Sequence, residues 1–507
     1  MTAWKTGVYE PASTFKNKCA APRTGADIEG TPFQDTPGTL LHEKNWLRSW
    51  TQETYLWNTE VADLNPALYP KPTDYFAMLR TVRMTASGRF KDEHHFSQPT
   101  SEFLAARNSA APASYGMTLL PISLYAPRDI RVAYVEPNSP ASQADGSGHP
   151  KIQRGARILT VNGMDLVYGG ATTAEIDLIN NALFPSAVNT TTTFTLREVD
   201  GTLRTVTLTS ANVQEKPVNQ TQVFDTPTGK VGYILFNTFS PFSSEREIVD
   251  AMQSLSDQSV SDLVLDLRYN SGGLLAIASQ LSYMIAGPSR TDGKIFEKQK
   301  FNASAGNLNP VTGKVNTPVP FLNTGLGFSV PQGTALPNLN LSRVFVLATD
   351  MTCSASEAVI NSLRGIDVEV ILIGNTTCGK PYGFYAVDNC GETYFTIQFE
   401  GVNNKDFGDY ADGFVPQNSS APYGVRLPGC EMSDDLAHDL GNINEGLLAT
   451  ALAYRQTNSC PAPLSLATRA IRSSNARLGN AYSNYPALKP PSRSIMDTNR
   501  DMTMPGR

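Results

Sequence analysis

A serine and a lysine that lie 26 residues apart in the chain, Ser354 and Lys380, give the first indication of chemistry in this 507-residue sequence. Ser354 stands between a strand-like run and a helical run, where unpaired backbone N–H groups and the helix dipole favour negative charge. Lys380 is the only charged residue between 370 and 387. Apolar surroundings lower the pKa of a lysine, and only a neutral amine accepts a serine proton. The pattern favours a Ser–Lys dyad, with the Ala355 N–H as one oxyanion donor.

Each of these residues also has a plainer interpretation. Ser354 and Glu357 fit the capping box S-x-x-E, in which the serine only caps a helix. A lone lysine commonly buries its stem and extends its amine to water. Cys353 could be a thiol nucleophile, although a structural thiol or a disulfide partner is the commoner role. His438, within a predicted helix, could complete a Ser–His–Asp triad.

A third motif, DLRYNSGG at 266–273, follows another predicted strand. Paired glycines allow backbone N–H groups to approach a ligand closely. Gly272 or Gly273 is therefore a candidate for the second oxyanion donor, and the alternative is a simple strand-to-helix turn.

Taken in order, LVLDLRYNSGGLL, TCSASEAVINSL and GNTTCGKPYGF resemble motifs of the C-terminal processing (tail-specific) serine protease family. The resemblance covers roughly residues 230–417. It implies that Ser354 is the nucleophile, that Lys380 is the general base, and that Gly272 and Gly273 contribute to the oxyanion hole. It also implies a crotonase-like α/β spiral and a reaction on polypeptides that requires no metal or organic cofactor.

The sequence departs from that family at one position. The family often has a glutamine four residues after the lysine, where this chain has Phe384. Tyr382, Tyr385 or Gln398 could replace it, and the sequence does not decide between them. Two rival functions follow: a non-catalytic peptide- or ligand-binding protein on the same scaffold, and an esterase that uses the same dyad.

Residues 114–212 resemble the PDZ domain that precedes the catalytic domain in this family. AYVEPNSPASQADG and IQRGARILTVNGMDL resemble its core strands and helix, and Asn162-Gly163 predicts a hairpin. The resemblance implies that a loop binds the carboxylate of a peptide end. This predicted substrate-binding loop comprises Tyr115, Gly116, Met117, Thr118 and Leu119. A module that only spaces its neighbours is the alternative.

Alternating strands and helices after Lys230 predict a parallel α/β sheet with active groups at the carboxyl ends of its strands. We also expect a Trp-rich helix over 42–57 and a second helix over 73–82. The predicted regions are an irregular arm (1–37), a small helical domain (38–110), the PDZ-like α+β domain (114–212), the catalytic domain (213–460) with a surface excursion at 287–341, and a C-terminal tail (461–507).

The net charge of −6 argues against nucleic acid as a partner, and no apolar stretch reaches the length of a membrane span. The N-terminal segment Met1–Lys18 lacks the apolar core of a signal peptide. The spacing of the six cysteines suits two disulfides, Cys378–Cys390 and Cys430–Cys460, although sequence alone does not fix the connectivity. Disulfides would imply an oxidising compartment. Together with the family resemblance, this predicts a bacterial-type periplasmic or exported protein, with membrane association left open.

Overall fold

A six-stranded sheet forms the centre of the computed structural model, which describes residues 4–108, 110–462, 500–502 and 504. The first two strands are antiparallel, and the other four run parallel to the second. The predicted parallel arrangement is therefore confirmed. Across the sheet, the strands are Val218–Thr226, Gly229–Phe236, Asp262–Asp266, Arg343–Ala348, Glu369–Gly374 and Gly429–Glu431.

Helices cover both faces of this central sheet, so the fold is mixed α/β. Successive side chains of a strand point to opposite faces, and each face here has its own apolar cluster. One face packs against helices Ser243–Asp257, Leu275–Ala286 and Ala355–Gly365, and the other against helix Gly446–Thr457. Burial on both sides explains why the four inner strands are mostly apolar in sequence, whereas the half-buried edge strand Val218–Thr226 is largely polar.

A second sheet, with its own apolar core, lies between residues 117 and 209. The predicted hairpin is confirmed, because Asn162 and Gly163 both have positive φ and connect two paired strands. Helix Thr173–Leu183 begins with a capping box formed by Thr172 and Glu175. The strands are Met117–Ser123 at one edge, Asp129–Val135, Arg157–Val161, Met164–Asp165, Thr191–Arg197 and Leu203–Thr209; Ala211–Asn212 pairs separately with Ala113–Ser114.

The N-terminal region packs against the strand Glu392–Phe395, which pairs with Phe96–Pro99 and contributes Tyr394 to the N-terminal apolar cluster. Trp46 and Trp50 are buried and stacked with their rings 5.0 Å apart, so both belong to the core. The predicted helix over 42–57 is confirmed as far as Thr54, and Trp57 lies beyond its end. The prediction of a helix over 73–82 is wrong beyond Phe76, because the chain turns there and buries Leu79 in the same cluster. The helices are Leu40–Thr54, Pro72–Phe76 and Thr100–Arg107, and the strands are Lys18–Cys19, Thr36–Pro37 and Phe96–Pro99.

Residues 287–341 are more than the surface excursion that we predicted. Phe296 and Val330 are buried in the central core despite the polar composition around them. Strand Ile295–Lys300 also pairs with Phe399–Val402. The remaining short elements of residues 287–427 are helix Pro288–Thr291 and strands Val319–Pro320, Tyr382–Gly383, Val387–Asn389, Glu392–Phe395, Phe414–Pro416 and Val425–Leu427.

All six cysteines form disulfides. Cys430–Cys460 is confirmed. The predicted Cys378–Cys390 pair is wrong: Cys390 bonds to Cys19, and Cys378 bonds to Cys353. The error has a physical source, because the sequence does not reveal that the N-terminal arm lies against residues 388–391.

No helix in the described parts of the chain is both long and apolar enough to cross a bilayer. Most of the predicted tail lies outside the described residues, and its described part includes strand Arg500–Asp501.

Candidate active site

Three loops meet at the carboxyl ends of three neighbouring parallel strands. The Asn270 carbonyl accepts hydrogen bonds from Cys353 N (3.1 Å) and Ser356 Oγ (2.9 Å), which joins the glycine loop to the serine loop. Cys378 N donates to Thr352 O (3.0 Å), which joins the lysine loop to the serine loop. The structure thus brings the three predicted motifs together at the sheet edge where the sequence placed them.

Ser354 has an unusual backbone conformation for a residue that only caps a helix. Its φ is 59° and its ψ is −111°, whereas an ordinary N-cap residue has extended dihedrals. A non-glycine residue with positive φ is strained, and such residues concentrate at functional sites. The Ser354 hydroxyl is buried and has no hydrogen-bond partner among the described residues. The serine is therefore not held in place by capping through its side chain.

Glu357 is the polar centre of this site. Its Oε2 accepts from the backbone N–H groups of both Ser354 (3.1 Å) and Lys380 (2.8 Å). Its Oε1 accepts from Gly379 N (2.9 Å) and Thr377 Oγ1 (2.5 Å). One carboxylate therefore fixes the serine and the lysine beside each other, although a helix and a strand separate them in the chain. Burial raises the pKa of Glu357, and these hydrogen bonds act in the opposite direction.

Lys380 is fully buried, and its environment favours the neutral amine. Burial lowers the pKa of Lys380 to about 7, a larger effect than the opposing influence of the Asp92 and Glu357 carboxylates. The Phe384 ring lies 5.3 Å from Nζ. Because Ser354 Oγ has no partner here, this state contains no hydrogen bond between Oγ and Nζ. The site therefore combines an amine that can be neutral near pH 7 with a serine hydroxyl that no hydrogen bond restrains.

The predicted oxyanion donors differ in availability. Gly272 N already donates to Asn270 Oδ1 (3.0 Å), so its N–H group is used inside the turn. Gly273 has a φ of 133°, and a Cβ there would lie 2.4 Å from the Phe239 carbonyl carbon, so only glycine fits. Ala355 is the first residue of its helix, where an N–H group has no helical acceptor. Ala355 and Gly273 are thus the better-suited pair.

The metal-binding potential of the site is limited by its disulfide. Cys353, Glu357 and Cys378 are close enough together to suggest a ligand set. The two sulfur atoms are bonded to each other, so neither is a thiolate that could bind an ion.

Comparison with known proteins gives the family context of this geometry. Residues 230–388 match the model of Peptidase family S41. A carboxyl-terminal-processing protease of Picosynechococcus sp. is 25% identical over 300 residues, which are 58% of this chain and 62% of that protein's length. The chain therefore spans less than two thirds of this curated relative.

The family resemblance is confirmed. A solved structure of an S41 protease from Bacteroides fragilis NCTC 9343 also shares the fold, with a TM-score of 0.59 and 23% identity, over 82% of this chain and 97% of that one. We call residues 230–388 the S41 region. It contains every residue of the dyad and oxyanion predictions, and it supports a serine-type peptidase.

The position where the family often has glutamine is filled by Phe384, which is buried among other aromatic residues. Of the suggested replacements, Gln398 accepts from Tyr385 N (2.7 Å) and donates to Thr54 (3.3 Å). Tyr382 forms a short strand beside the lysine. These hydrogen bonds join Gln398 to Tyr385 and Thr54, and not to Ser354 or Lys380.

Two other candidates for the chemistry, His438 as a triad partner and Cys353 as a thiol nucleophile, have different positions or bonds in the structure. His438 lies in a turn, not in the predicted helix, and its Nδ1 pairs with Asp435 Oδ2 at 2.7 Å with the side chain partly exposed. Cys353 is in a disulfide and is therefore not a thiol nucleophile in this state.

The predicted carboxylate loop is only partly a loop. Tyr115 is buried and its hydroxyl donates to Thr192 (2.7 Å), while Gly116 has positive φ and its N–H donates to Ser114 Oγ (2.9 Å). Met117, Thr118 and Leu119 already belong to the edge strand Met117–Ser123, because they pair with strand Asp129–Val135.

Sequence reasoning missed residues that the N-terminal region contributes to the site. The Arg89 guanidinium donates to the Cys378 carbonyl (2.6 Å) beside the lysine loop. The buried Asp92 accepts from Tyr55 OH (2.6 Å) and influences the pKa of Lys380. Asp92 and Lys380 lie far apart in the chain, so no local pattern could reveal this electrostatic interaction. The role of Glu357 had a signal in S-x-x-E, but that pattern describes an ordinary helix cap equally well.

Proposed function

We propose that the chain is a serine endopeptidase in which Ser354 and Lys380 act as a dyad. One observation carries the proposal. The backbone N–H groups of Ser354 and Lys380 both donate to the same oxygen of Glu357, which holds the two residues side by side. The serine is strained and its hydroxyl has no hydrogen-bond partner among the described residues, while burial lowers the pKa of the lysine to about 7. The match of this region to Peptidase family S41 supports the same chemistry.

The reaction follows from the position of these groups. The Ser354 side chain turns toward Lys380, and Oγ attacks a peptide carbonyl while Nζ takes its proton. The N–H groups of Ala355 and Gly273 stabilise the negative charge on the carbonyl oxygen. Lys380 then passes the proton to the leaving amine, and a water molecule hydrolyses the acyl-enzyme. The buried setting makes each of these polar contacts stronger than it would be in water.

We propose that residues 213–460 form a crotonase-like catalytic domain and that residues 114–212 form a PDZ-like domain for substrate C-termini. The strand Met117–Ser123 lies at an edge of its sheet, which suits recognition by strand addition. Tyr115 and Gly116 precede it, where a peptide carboxylate would bind. A fluorescent peptide with a free C-terminus should bind this domain within the full chain, and the amidated peptide should bind more weakly.

The three disulfides favour an oxidising compartment, so we propose an exported protein, with the periplasm as the specific site.

A serine-reactive fluorophosphonate probe tests the proposed function directly. We expect covalent labelling and cleavage of unfolded casein by the wild-type chain, and neither with Ser354→Ala. Ser254→Ala is the matched control, since Ser254 is an exposed serine on helix Ser243–Asp257, away from the three loops of the site. Absence of Ser354-dependent labelling and cleavage would favour a binding protein, and hydrolysis of esters but not peptides would favour an esterase.

A further inference from the structure

The last described residues of the chain lie beside the proposed oxyanion glycine. Strand Arg500–Asp501 pairs in parallel with Gly273–Leu274. Strand Tyr382–Gly383, which begins two residues after Lys380, also neighbours Arg500–Asp501. The C-terminal residues therefore run between the glycine strand and the segment that follows the proposed base.

The pairing uses an edge of the glycine strand that a substrate would need. Phe239 covers the other edge: its N–H donates to Gly272 O (2.8 Å), and its carbonyl accepts from Leu274 N (3.2 Å). Arg500–Asp501 covers the remaining edge. An extended peptide that added to this edge would bring its own carbonyl groups beside the Gly273 N–H, as strand addition generally does. The chain's own residues thus occupy the place of a substrate strand.

Two further observations agree with an occupied site. Ser354 and Lys380 are fully buried, so another peptide cannot reach them until something that covers the site moves away. Met502, directly after the added strand, is half-buried and packs against the central apolar core. The backbone pairing and this apolar contact together hold residues 500–502 at the site.

We propose that residues 500–502 are a cis-acting occupant of the peptide-binding edge at Gly273–Leu274 and exclude other peptides from it. This inference rests on the proposed function of the same site. Because the occupant is part of the same chain, its effective concentration is high and it competes with substrate without tight intrinsic affinity. Its departure would open the edge to a polypeptide substrate.

Two truncations of the full chain test the inference. A variant that ends at Asn499 lacks the added strand, and a matched variant that ends at Met504 keeps it. If the strand occupies the site about nine-tenths of the time, fluorophosphonate labelling of the first variant should be about tenfold faster than that of the full chain. The second variant should label at the rate of the full chain. Met502→Asp, which keeps the strand but loses its apolar contact, should also label faster than the full chain.

A binding measurement separates this inference from the proposed chemistry. A fluorescent peptide of residues 499–504 should bind the Asn499-ending chain that carries Ser354→Ala, and should not bind the full-length Ser354→Ala chain. A scrambled peptide is the control. Equal binding to both chains, or binding to neither, would overturn the occupancy even if Ser354-dependent labelling is observed. Selective binding without any labelling would keep the occupancy and remove the proposed peptidase.

Discussion

Two cations are fully buried near the carboxyl ends of the central strands, and the protein treats them in opposite ways. Arg268 is surrounded by carboxylates: it pairs with Asp266 (2.9 Å), Glu445 (2.8 Å) and Asp434 (2.8 Å). Burial alone would lower the pKa of Arg268, but Asp266 and Glu445 outweigh it and raise that pKa above its usual value. For Lys380 the balance is reversed, and burial lowers the pKa to about 7.

The difference shows that burial by itself does not decide the charge of a group. A guanidinium stays charged in proteins, so the fold has to surround Arg268 with acceptors. An amine can lose its proton, so the fold can leave Lys380 in a setting that favours neutrality. Arg268 also shares Asp434 with Arg154, which lies in the turn before strand Arg157–Val161, and this ties the second sheet to the glycine loop. One cation therefore holds the structure together, and the other is suited to chemistry.

The largest expected effect comes from removing the amine of the reactive cation. Lys380→Met keeps a long apolar side chain in the buried site but leaves Ser354 without a base. Fluorophosphonate labelling should fall by about 10²–10⁴-fold, the usual contribution of a general base. Circular dichroism should show an unchanged fold. Lys298→Met is the control, because that lysine is exposed, and it should label normally. Normal labelling of Lys380→Met would rule out the dyad.

For Arg268, the expected effect of substitution is a loss of stability. Arg268→Met leaves the Asp266, Glu445 and Asp434 carboxylates without their buried partner. Breaking such a pair costs about 3–5 kcal/mol of unfolding free energy. Urea denaturation should show the loss as a lower midpoint, while the surface variant Arg246→Met should unfold like the wild type. A midpoint unchanged by Arg268→Met would mean that the ion network does not stabilise the fold.

The pH dependence should separate the two cations further. Below a pKa of about 7 the neutral fraction of Lys380 falls about tenfold per pH unit, so labelling should slow as the pH drops. The sign for stability follows from linkage: between about pH 7 and 10.5 the unfolded chain binds the Lys380 proton and the folded chain does not. Stability from this group therefore rises with pH in that window. The slowing of labelling below about pH 7 should be absent in Lys380→Met, and the rise of stability above pH 7 should be smaller there, because Lys16, whose pKa is lowered to about 8, still contributes. Lys298→Met should retain both, and a labelling rate of the wild type that does not change with pH would contradict a titrating base.

The two cations also show how far sequence reasoning reaches. The isolation of Lys380 among apolar residues is visible in a single stretch, and so is the strand–turn–helix around Ser354. Partners that come from distant parts of the chain are not visible in this way. Asp92 approaches Lys380 from the N-terminal region, and Cys19 reaches Cys390 from the irregular arm. Local apolar patterns thus predict the sheet and single out the proposed pair, whereas the partners of Cys19, Cys353, Cys378 and Cys390 and the polar surroundings of the site depend on tertiary contacts.

The smallest effect is expected from Glu357, which accepts hydrogen bonds from the backbone N–H groups of both members of the proposed dyad. In Glu357→Gln one acceptor oxygen becomes an amide that must face several backbone N–H groups, so at least one hydrogen bond is lost. A lost buried hydrogen bond costs about 1–3 kcal/mol, enough to displace Ser354 from Lys380 and slow labelling roughly tenfold. A positioning role predicts a lower maximal labelling rate at pH values well above the midpoint, and the midpoint itself should move slightly down, since the Glu357 carboxylate no longer opposes the effect of burial on the pKa of Lys380. Glu431→Gln, at a partly exposed strand end, is the control. If Glu357→Gln instead lowers only the urea midpoint and labels at the full rate, Glu357 stabilises the loops without setting the distance between hydroxyl and amine.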